Sequence, residues 1–273
     1  MDVAVLMLVG GIGVGIFGSL LGLGGGLLIV PLLTLGFHLP LREAIGVSLV
    51  CVIVTSGASA SVFLERRVAN LRLGMTLELF TAIGALLGGL IAFLLDERVL
   101  AGLFSVLMTY VAVTMLRRRS ASTPDMAEES PGPAQDASSF TARLSGPGSG
   151  VRNLGPGLVG SVFAGVASAL LGIGGGLIKV PVLHVVMGVP LRVATATSNL
   201  VIGITASTSA WIYLLRGGID PYAAGPTAIG VFVGASIGSR VAHRVDLRAL
   251  RFLFGAVLLY TAFQMLRRAA GIP

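Results

Sequence analysis

A ten-residue element rich in glycine occurs twice in this chain at a constant offset. Residues 22–31 read GLGGGLLIVP, and residues 172–181, 150 positions further on, read GIGGGLIKVP. Each copy lies in strongly apolar sequence and is followed by the tripeptide Pro-Leu-Arg. Because glycine and proline interrupt helices, the element predicts a break or a close backbone approach in two apolar segments. Paired interruptions at matching places in two halves are typical of binding sites in membrane transporters.

Long apolar runs make up most of the chain. Of the 273 residues, 55% are hydrophobic and 11% are charged, whereas soluble domains carry about a quarter charged residues. The uncharged or nearly uncharged runs of the first half cover residues 3–21, 27–37, 44–64, 73–95 and 99–116. All but 27–37 approach the length of about 20 residues that crosses a bilayer as a helix. The sequence therefore predicts an all-α polytopic membrane protein in which the second segment of each half is short or re-entrant.

Residues 120–150 differ in composition from the sequence around them. They are rich in Ser, Pro, Gly, Asp and Glu and contain almost no bulky apolar side chains. Such a segment cannot bury enough apolar surface to offset the loss of chain entropy on folding. We therefore expect a first membrane repeat at 1–119, a flexible cytoplasmic linker at 120–150 and a second membrane repeat at 151–273.

The second half repeats the first without a gap. Identical residues at the 150-residue offset include Ser48 and Ser198, Thr55 and Thr205, Arg66 and Arg216, Asp96 and Asp246, and Tyr110 and Tyr260. In the first half the arginines follow the third and fifth segments, which assigns those loops to the cytoplasm. In the second half the arginines concentrate at 243–251, after the fourth segment, so the charged loops of the two halves lie on opposite sides of matching segments. Arg267 and Arg268, after the fifth segment, oppose this assignment. Two inverted repeats of about five segments each are therefore expected.

Several functional classes are disfavoured by the sequence. The net charge of +7 comes almost entirely from arginines between apolar runs, where they set topology and do not indicate a nucleic-acid partner. The chain has one cysteine and no HExxH sequence, so it lacks the usual motifs of metal-dependent catalysis. We expect no enzyme activity, no catalytic residues, no metal site and no cofactor.

The repeated G-x-G-G-G-x-x-x-V-P element, the Pro-Leu-Arg turns and the Ala-Thr-Ser-Asn stretch at 196–199 resemble the sulfite exporter TauE/SafE family. The resemblance covers both halves and leaves out the linker. It implies a multi-pass permease of the bacterial inner membrane for small sulfur-containing anions such as sulfite, sulfonates or thiosulfate, exporting them by alternating access. A permease for another small organic anion and a non-transporting structural or assembly protein of the membrane are the alternatives.

An oxyanion held at membrane depth needs hydrogen-bond donors and positive potential, and helix starts supply both through free backbone N–H groups. The expected binding glycines are Gly24, Gly25, Gly26, Gly174, Gly175 and Gly176. The expected polar side chains, which follow the Pro-Leu-Arg turns, are Ser48, Thr197, Ser198 and Asn199. Close helix packing and hydrogen bonding between helices are the alternative roles of these residues.

Lys179 is the only lysine in the chain and replaces Ile29 of the first glycine element. An ionisable group in a membrane segment costs roughly 2.5–3.5 kcal/mol, which favours a functional role in binding the anion. Glu78 and His184 are candidates for carrying a coupling proton. The alternatives are that Lys179 and Glu78 extend to the membrane surface and that His184 is a packed histidine. The expected partners are the anion, a coupling proton and the lipid bilayer, and a homodimer stays open.

Overall fold

The computed structural model describes residues 3–20, 26–65, 70–117, 153–241 and 247–271. Every regular element within these residues is helical, and ten helices follow one another along the chain. They are α1 (Val3–Leu20), α2 (Gly26–Pro31), α3 (Leu41–Glu65), α4 (Leu71–Leu94), α5 (Glu97–Arg117), α6 (Leu154–Leu171), α7 (Gly176–Pro181), α8 (Leu191–Leu215), α9 (Pro221–Val241) and α10 (Leu247–Ala269). The expected linker at 120–150 lies outside the described residues, as do Gly24 and Gly25.

Four helices in the described part of the chain are long and apolar enough to cross a membrane. Their candidate spans are Leu71–Leu94, Glu97–Thr114, Leu154–Leu171 and Val193–Leu215, and shorter apolar helices cover Val3–Ser19, Gly26–Gly36 and Gly176–Val186. Large apolar side chains such as Leu94, Phe163 and Phe252 are mostly exposed, as expected on a surface that faces lipid. The chain is therefore an all-helical, multi-pass membrane protein.

The two glycine-proline elements form short helices that widen after a proline. Helix α2 continues as a π-helical turn at Leu32–Gly36, and α7 continues as one at Val182–Val186. Proline lacks a backbone N–H and its ring collides with the preceding turn, and a wider turn accommodates both defects. Each combined helix is too short to cross a bilayer, as the sequence predicts for the second segment of each half.

Two helix pairs, α1 with α9 and α4 with α6, pack in parallel over much of their length. Along α4 and α6, Gly84 lies against Val162, and Gly88 lies against Val166, four residues further along both helices. A Cβ atom at either glycine would collide with the backbone carbonyl of its neighbour. These glycines therefore allow the two backbones to touch, which is a common way for helices to associate in membranes.

Two other pairs, α3 with α8 and α5 with α10, run in opposite directions. Gly46, near the start of α3, lies against Gly218, just beyond the end of α8. Ser105 in the first half of α5 donates a hydrogen bond to the Ala262 carbonyl in the second half of α10, at 2.9 Å. Gly255, in the first half of α10, lies against Leu116 at the end of α5. Helix α8 also packs on α4 and α7. Side chains from both halves of the chain therefore meet around α8.

Candidate functional site

Lys179, Glu78 and Thr205 form a buried cluster where α7, α4 and α8 meet. The Lys179 ammonium lies 2.5 Å from Glu78 Oε2 and donates to Thr205 Oγ1 at 3.3 Å. The Thr205 hydroxyl donates to Glu78 Oε1 at 2.5 Å, so the three side chains close a ring of hydrogen bonds. The residues are 1%, 3% and 0% exposed, respectively. A buried ion pair of this kind persists only when both charges are hydrogen-bonded.

The cluster brings together two residues that the sequence identifies separately, Lys179 as an anion ligand and Glu78 as a proton carrier. Neither charged group extends to the protein surface, because each is held by the other inside the helix bundle. Thr205 is not among the site residues expected from the sequence. Its match with Thr55 at the 150-residue offset was the available signal, but nothing local distinguishes it from other threonines in α8.

The positions that match the cluster at the 150-residue offset carry no charge. They are occupied by Ile29, Ala228 and Thr55, of which Ile29 and Ala228 are buried apolar residues. The Thr55 hydroxyl donates to the Cys51 carbonyl within its own helix at 3.0 Å. The charged cluster is therefore present at only one of two places that the sequence repeat makes equivalent.

The second glycine element passes between two buried serines. Gly174 and Gly175 have φ angles of +72° and +79°, in the left-handed region that favours glycine. Ser168 Oγ lies 3.7 Å from where a Cβ on Gly175 would stand, and Ser198 Oγ lies at the same distance from that of Gly176. Both serines are 0% exposed, and neither hydroxyl has a hydrogen-bond partner among the described residues.

An unpaired buried hydroxyl costs about 1–3 kcal/mol, so two of them beside one peptide require an explanation. Oxygen atoms of a bound ligand would satisfy both. Ser198 is an expected site residue, whereas Ser168 was missed because it lies before the glycine element and outside every motif.

Helix α8 places Ser198 and the charged cluster on one face. Ser198, Ile202 and Thr205 follow the spacing of residues on the same side of a helix. Ile202 and Ser198 approach Gly176 at the start of α7, and Thr205 contacts Lys179 further along α7. The hydroxyl and the cluster lie roughly 10 Å apart along the helix axis. Both therefore belong to one polar face between α7 and α8.

Ser48 differs from its sequence counterpart Ser198 in being fully engaged. Its hydroxyl lies 2.7 Å from the Gly172 carbonyl and 3.0 Å from the Gly26 carbonyl. It thereby ties the middle of the first glycine element to the start of the second. Ser48 thus makes a hydrogen bond between segments, which is the alternative role expected for it from the sequence.

The other expected polar residues lie apart from the charged cluster. Thr197 Oγ1 accepts a hydrogen bond from the backbone N–H of Asn70 at 2.9 Å. Asn199 is half-buried and has no hydrogen-bond partner in the described part of the chain. His184 Nδ1 lies 3.0 Å from the Val189 carbonyl, in the turn that follows α7. The described residues contain no group of three or more His, Cys, Asp or Glu side chains placed to hold a metal ion.

Comparison with known proteins identifies the family. A family model described as "Sulfite exporter TauE/SafE" matches residues 7–265. The probable membrane transporter protein YunE of Bacillus subtilis is 23% identical over 269 residues, covering 96% of this chain and 97% of that protein. The probable membrane transporter protein MJ0441 of Methanocaldococcus jannaschii is 25% identical over 270 residues, covering 93% and 91%.

A probable membrane transporter protein of Xylella fastidiosa is 28% identical over 255 residues, covering 92% of this chain and 90% of that protein. No solved structure matches the chain. The family model covers nearly all of the sequence and confirms the resemblance carried by the repeated glycine element. The chain therefore belongs to the sulfite exporter TauE/SafE family of membrane transporters.

Proposed function

We propose that this protein exports small sulfur-containing anions, of the sulfite, sulfonate or thiosulfate class, across the bacterial inner membrane. The observation that carries the proposal is the buried ammonium of Lys179 in the interrupted helix α7. A cation at such a place is costly and is a functional hypothesis by default. Sulfur oxyanions carry negative charge and several acceptor oxygens, which suit an ammonium with hydroxyl donors nearby. The family description supports both the sulfur oxyanion and the outward direction.

The polar face between α7 and α8 is the proposed anion site. Lys179 supplies the charge, and the unpaired hydroxyls of Ser168 and Ser198 supply hydrogen-bond donors. The backbone at 174–176 and the side chains of Thr197 and Asn199 complete the second-half contribution. The first half contributes shape and backbone through the glycines at 24–26 and through Ser48, which holds the two elements together.

Two inverted repeats, at 1–119 and 151–273, are the proposed architecture. The antiparallel packing of α3 on α8 and of α5 on α10 supports it, because these helices occupy matching places in the sequence repeat. An inverted repeat requires matching helices to run in opposite directions across the membrane. Alternating access would then arise from rocking of one group of helices against the other around a fixed site.

The substrate is tested by flux into proteoliposomes that contain the purified protein. We expect uptake of sulfite and of a simple sulfonate such as isethionate to exceed uptake of sulfate and lactate. The double variant K179M/E78Q removes both charges and leaves no unpaired ion, so it should fold and lose the flux. A preference for lactate would show that the sulfur-anion proposal is wrong. Flux of isethionate that the double variant leaves unchanged would remove Lys179 from the site.

A further inference from the structure

We propose that the substrate and Glu78 compete for the same ammonium, so that each transported anion is a monoanion accompanied by one proton bound at Glu78. The inference rests on the proposed function, since it takes the substrate to bind at Lys179. It adds the charge of the substrate, the number of coupling protons and the residue that carries them.

The charge balance of the cluster carries the inference. In the structure the Lys179 ammonium is neutralised by the Glu78 carboxylate at 2.5 Å. An anion that arrived at this neutral pair would leave one uncompensated negative charge in the buried interior, which is strongly unfavourable. When a proton binds to Glu78, the cluster carries a single positive charge. A monoanion then restores neutrality, whereas a dianion leaves one negative charge unbalanced.

The hydrogen bonds around Thr205 provide for this exchange. In the structure the Thr205 hydroxyl donates to Glu78 Oε1 and accepts from the ammonium. When Oε1 takes a proton, the hydrogen bond between Glu78 and Thr205 reverses its direction. The new carboxyl O–H donates to Thr205 Oγ1, and the Thr205 hydroxyl no longer donates to Oε1. The Thr205 hydroxyl hydrogen is then free for an oxygen of the anion, and the ammonium no longer faces a negatively charged partner. Thr205 is therefore a positioning residue for the proton, since a hydroxyl both donates and accepts.

Among the ionisable residues on the helices packed around the cluster, Glu78 is the proton acceptor that bonds to the Lys179 ammonium. Helix α4 packs on α6 and α8, and α6 contains no ionisable residue. The ionisable residues on the remaining elements are Arg72 on α4 itself, Arg192 and Tyr213 on α8, Lys179 on α7 and His184 on the π-helical turn that follows α7. Tyr213, near the end of α8, donates a hydrogen bond to the Ala169 carbonyl on α6. His184 is engaged by the Val189 carbonyl and makes no hydrogen bond to the cluster.

The test is the affinity of the purified protein in lipid nanodiscs for isethionate, which stays a monoanion throughout the range from about pH 6 to pH 8. Because one proton binds with each anion, the Kd should fall about tenfold for each unit by which the pH is lowered. Calorimetry in buffers of different ionisation enthalpy should count one proton taken up per anion. Sulfoacetate has the same carbon skeleton but two negative charges, and it should bind at least tenfold more weakly.

Variants assign the proton. In E78Q, which mimics the protonated carboxyl, the Kd should be independent of pH and no proton should be taken up. E97Q changes a glutamate at the start of α5, outside the cluster, and should keep the full pH dependence. T205V should displace the line of log Kd against pH, and T205S should restore it.

Isethionate binding with a pH-independent Kd in the unmodified protein would overturn the inference while leaving the proposed function standing. A pH dependence that H184Q abolishes and E78Q retains would also overturn it. Absence of binding for every anion at every pH would overturn the proposed function as well. The decisive slope is measured on the unmodified protein, so it does not depend on the folding of any variant.

Discussion

Removal of one member of the Lys179–Glu78 pair should destabilise the protein far more than removal of both. Both side chains are almost fully buried and are bonded to each other at 2.5 Å. Loss of one partner leaves an uncompensated buried charge, which costs about 3–5 kcal/mol. Replacement of a whole buried pair by neutral side chains of similar size is often neutral or stabilising. At about 2–4 °C per kcal/mol, K179M should lower the Tm by roughly 6–20 °C, and K179M/E78Q should return it close to the original value.

The assay is thermal unfolding in one detergent. A fluorescent fusion is heated, and the protein that stays folded is measured by size-exclusion chromatography. The four proteins of the cycle are the original chain, K179M, E78Q and the double variant, and their Tm values give the coupling between the two residues. I29M is the matched control, because Ile29 is the buried counterpart of Lys179 in the first half. It should change the Tm by only a few degrees, since a volume-conserving apolar exchange costs less than about 1.5 kcal/mol. A double variant that loses as much as the two single variants together would refute the coupling.

Three further outcomes are expected. G165V should prevent assembly of the folded protein, because any Cβ at Gly165 would collide with the Thr81 carbonyl. G155A, on the same helix, places its Cβ in open space and should be tolerated. The yield of monodisperse protein measures both effects. S198A should leave the Tm unchanged or raise it, because the Ser198 hydroxyl is unpaired in the described residues. The same variant should weaken isethionate binding about tenfold through loss of a charge-assisted hydrogen bond. Binding equal to that of the original protein would exclude the Ser198 hydroxyl from the site. Transport of a monoanion with one proton is electroneutral, so isethionate flux should respond to a pH gradient and not to a potassium-valinomycin potential.

The helical class of the protein was predictable because it depends on local composition. Long apolar runs with few charges leave helices as the spanning structure whose backbone groups are paired within each segment. The short second segment of each half was predictable for the same reason, since Pro31 and Pro181 interrupt helices through their own covalent structure. Lys179 also stood out locally, as the only lysine and as the one ionisable residue inside a glycine element.

The pairing of Lys179 was not predictable, because its partners are distant in the sequence. Glu78 lies 101 residues before it, and Thr205 lies 127 residues after Glu78. Their meeting depends on the packing of α4 against α6 and α8, which no periodicity within a single helix encodes. Sequence patterns identified two ionisable residues in apolar surroundings, but the choice between an ion pair and two groups that reach the surface required the helix packing.

The two matching serines give a second example of what local sequence leaves open. Ser48 and Ser198 follow identical Pro-Leu-Arg turns, yet Ser48 bonds to two backbone carbonyls and Ser198 bonds to none in the described residues. The difference arises from the path of the glycine backbone around each hydroxyl. An unpaired hydroxyl is therefore a property of the packed structure, and it is the property that distinguishes a ligand contact from a helix contact.

The single charged cluster bears on how an inverted-repeat carrier would hold its substrate through the transport cycle. At the positions that the repeat makes equivalent, Ile29 and Ala228 replace Lys179 and Glu78, and both are buried among apolar side chains. Under the proposed function, the substrate therefore finds its buried counter-charge on α7, whichever side of the membrane the site faces. We infer that the anion stays on α7 throughout the cycle, because α2 offers it no counter-charge. Under this arrangement a second pair at Ile29 and Ala228 would give the anion an additional place to bind and would slow its release.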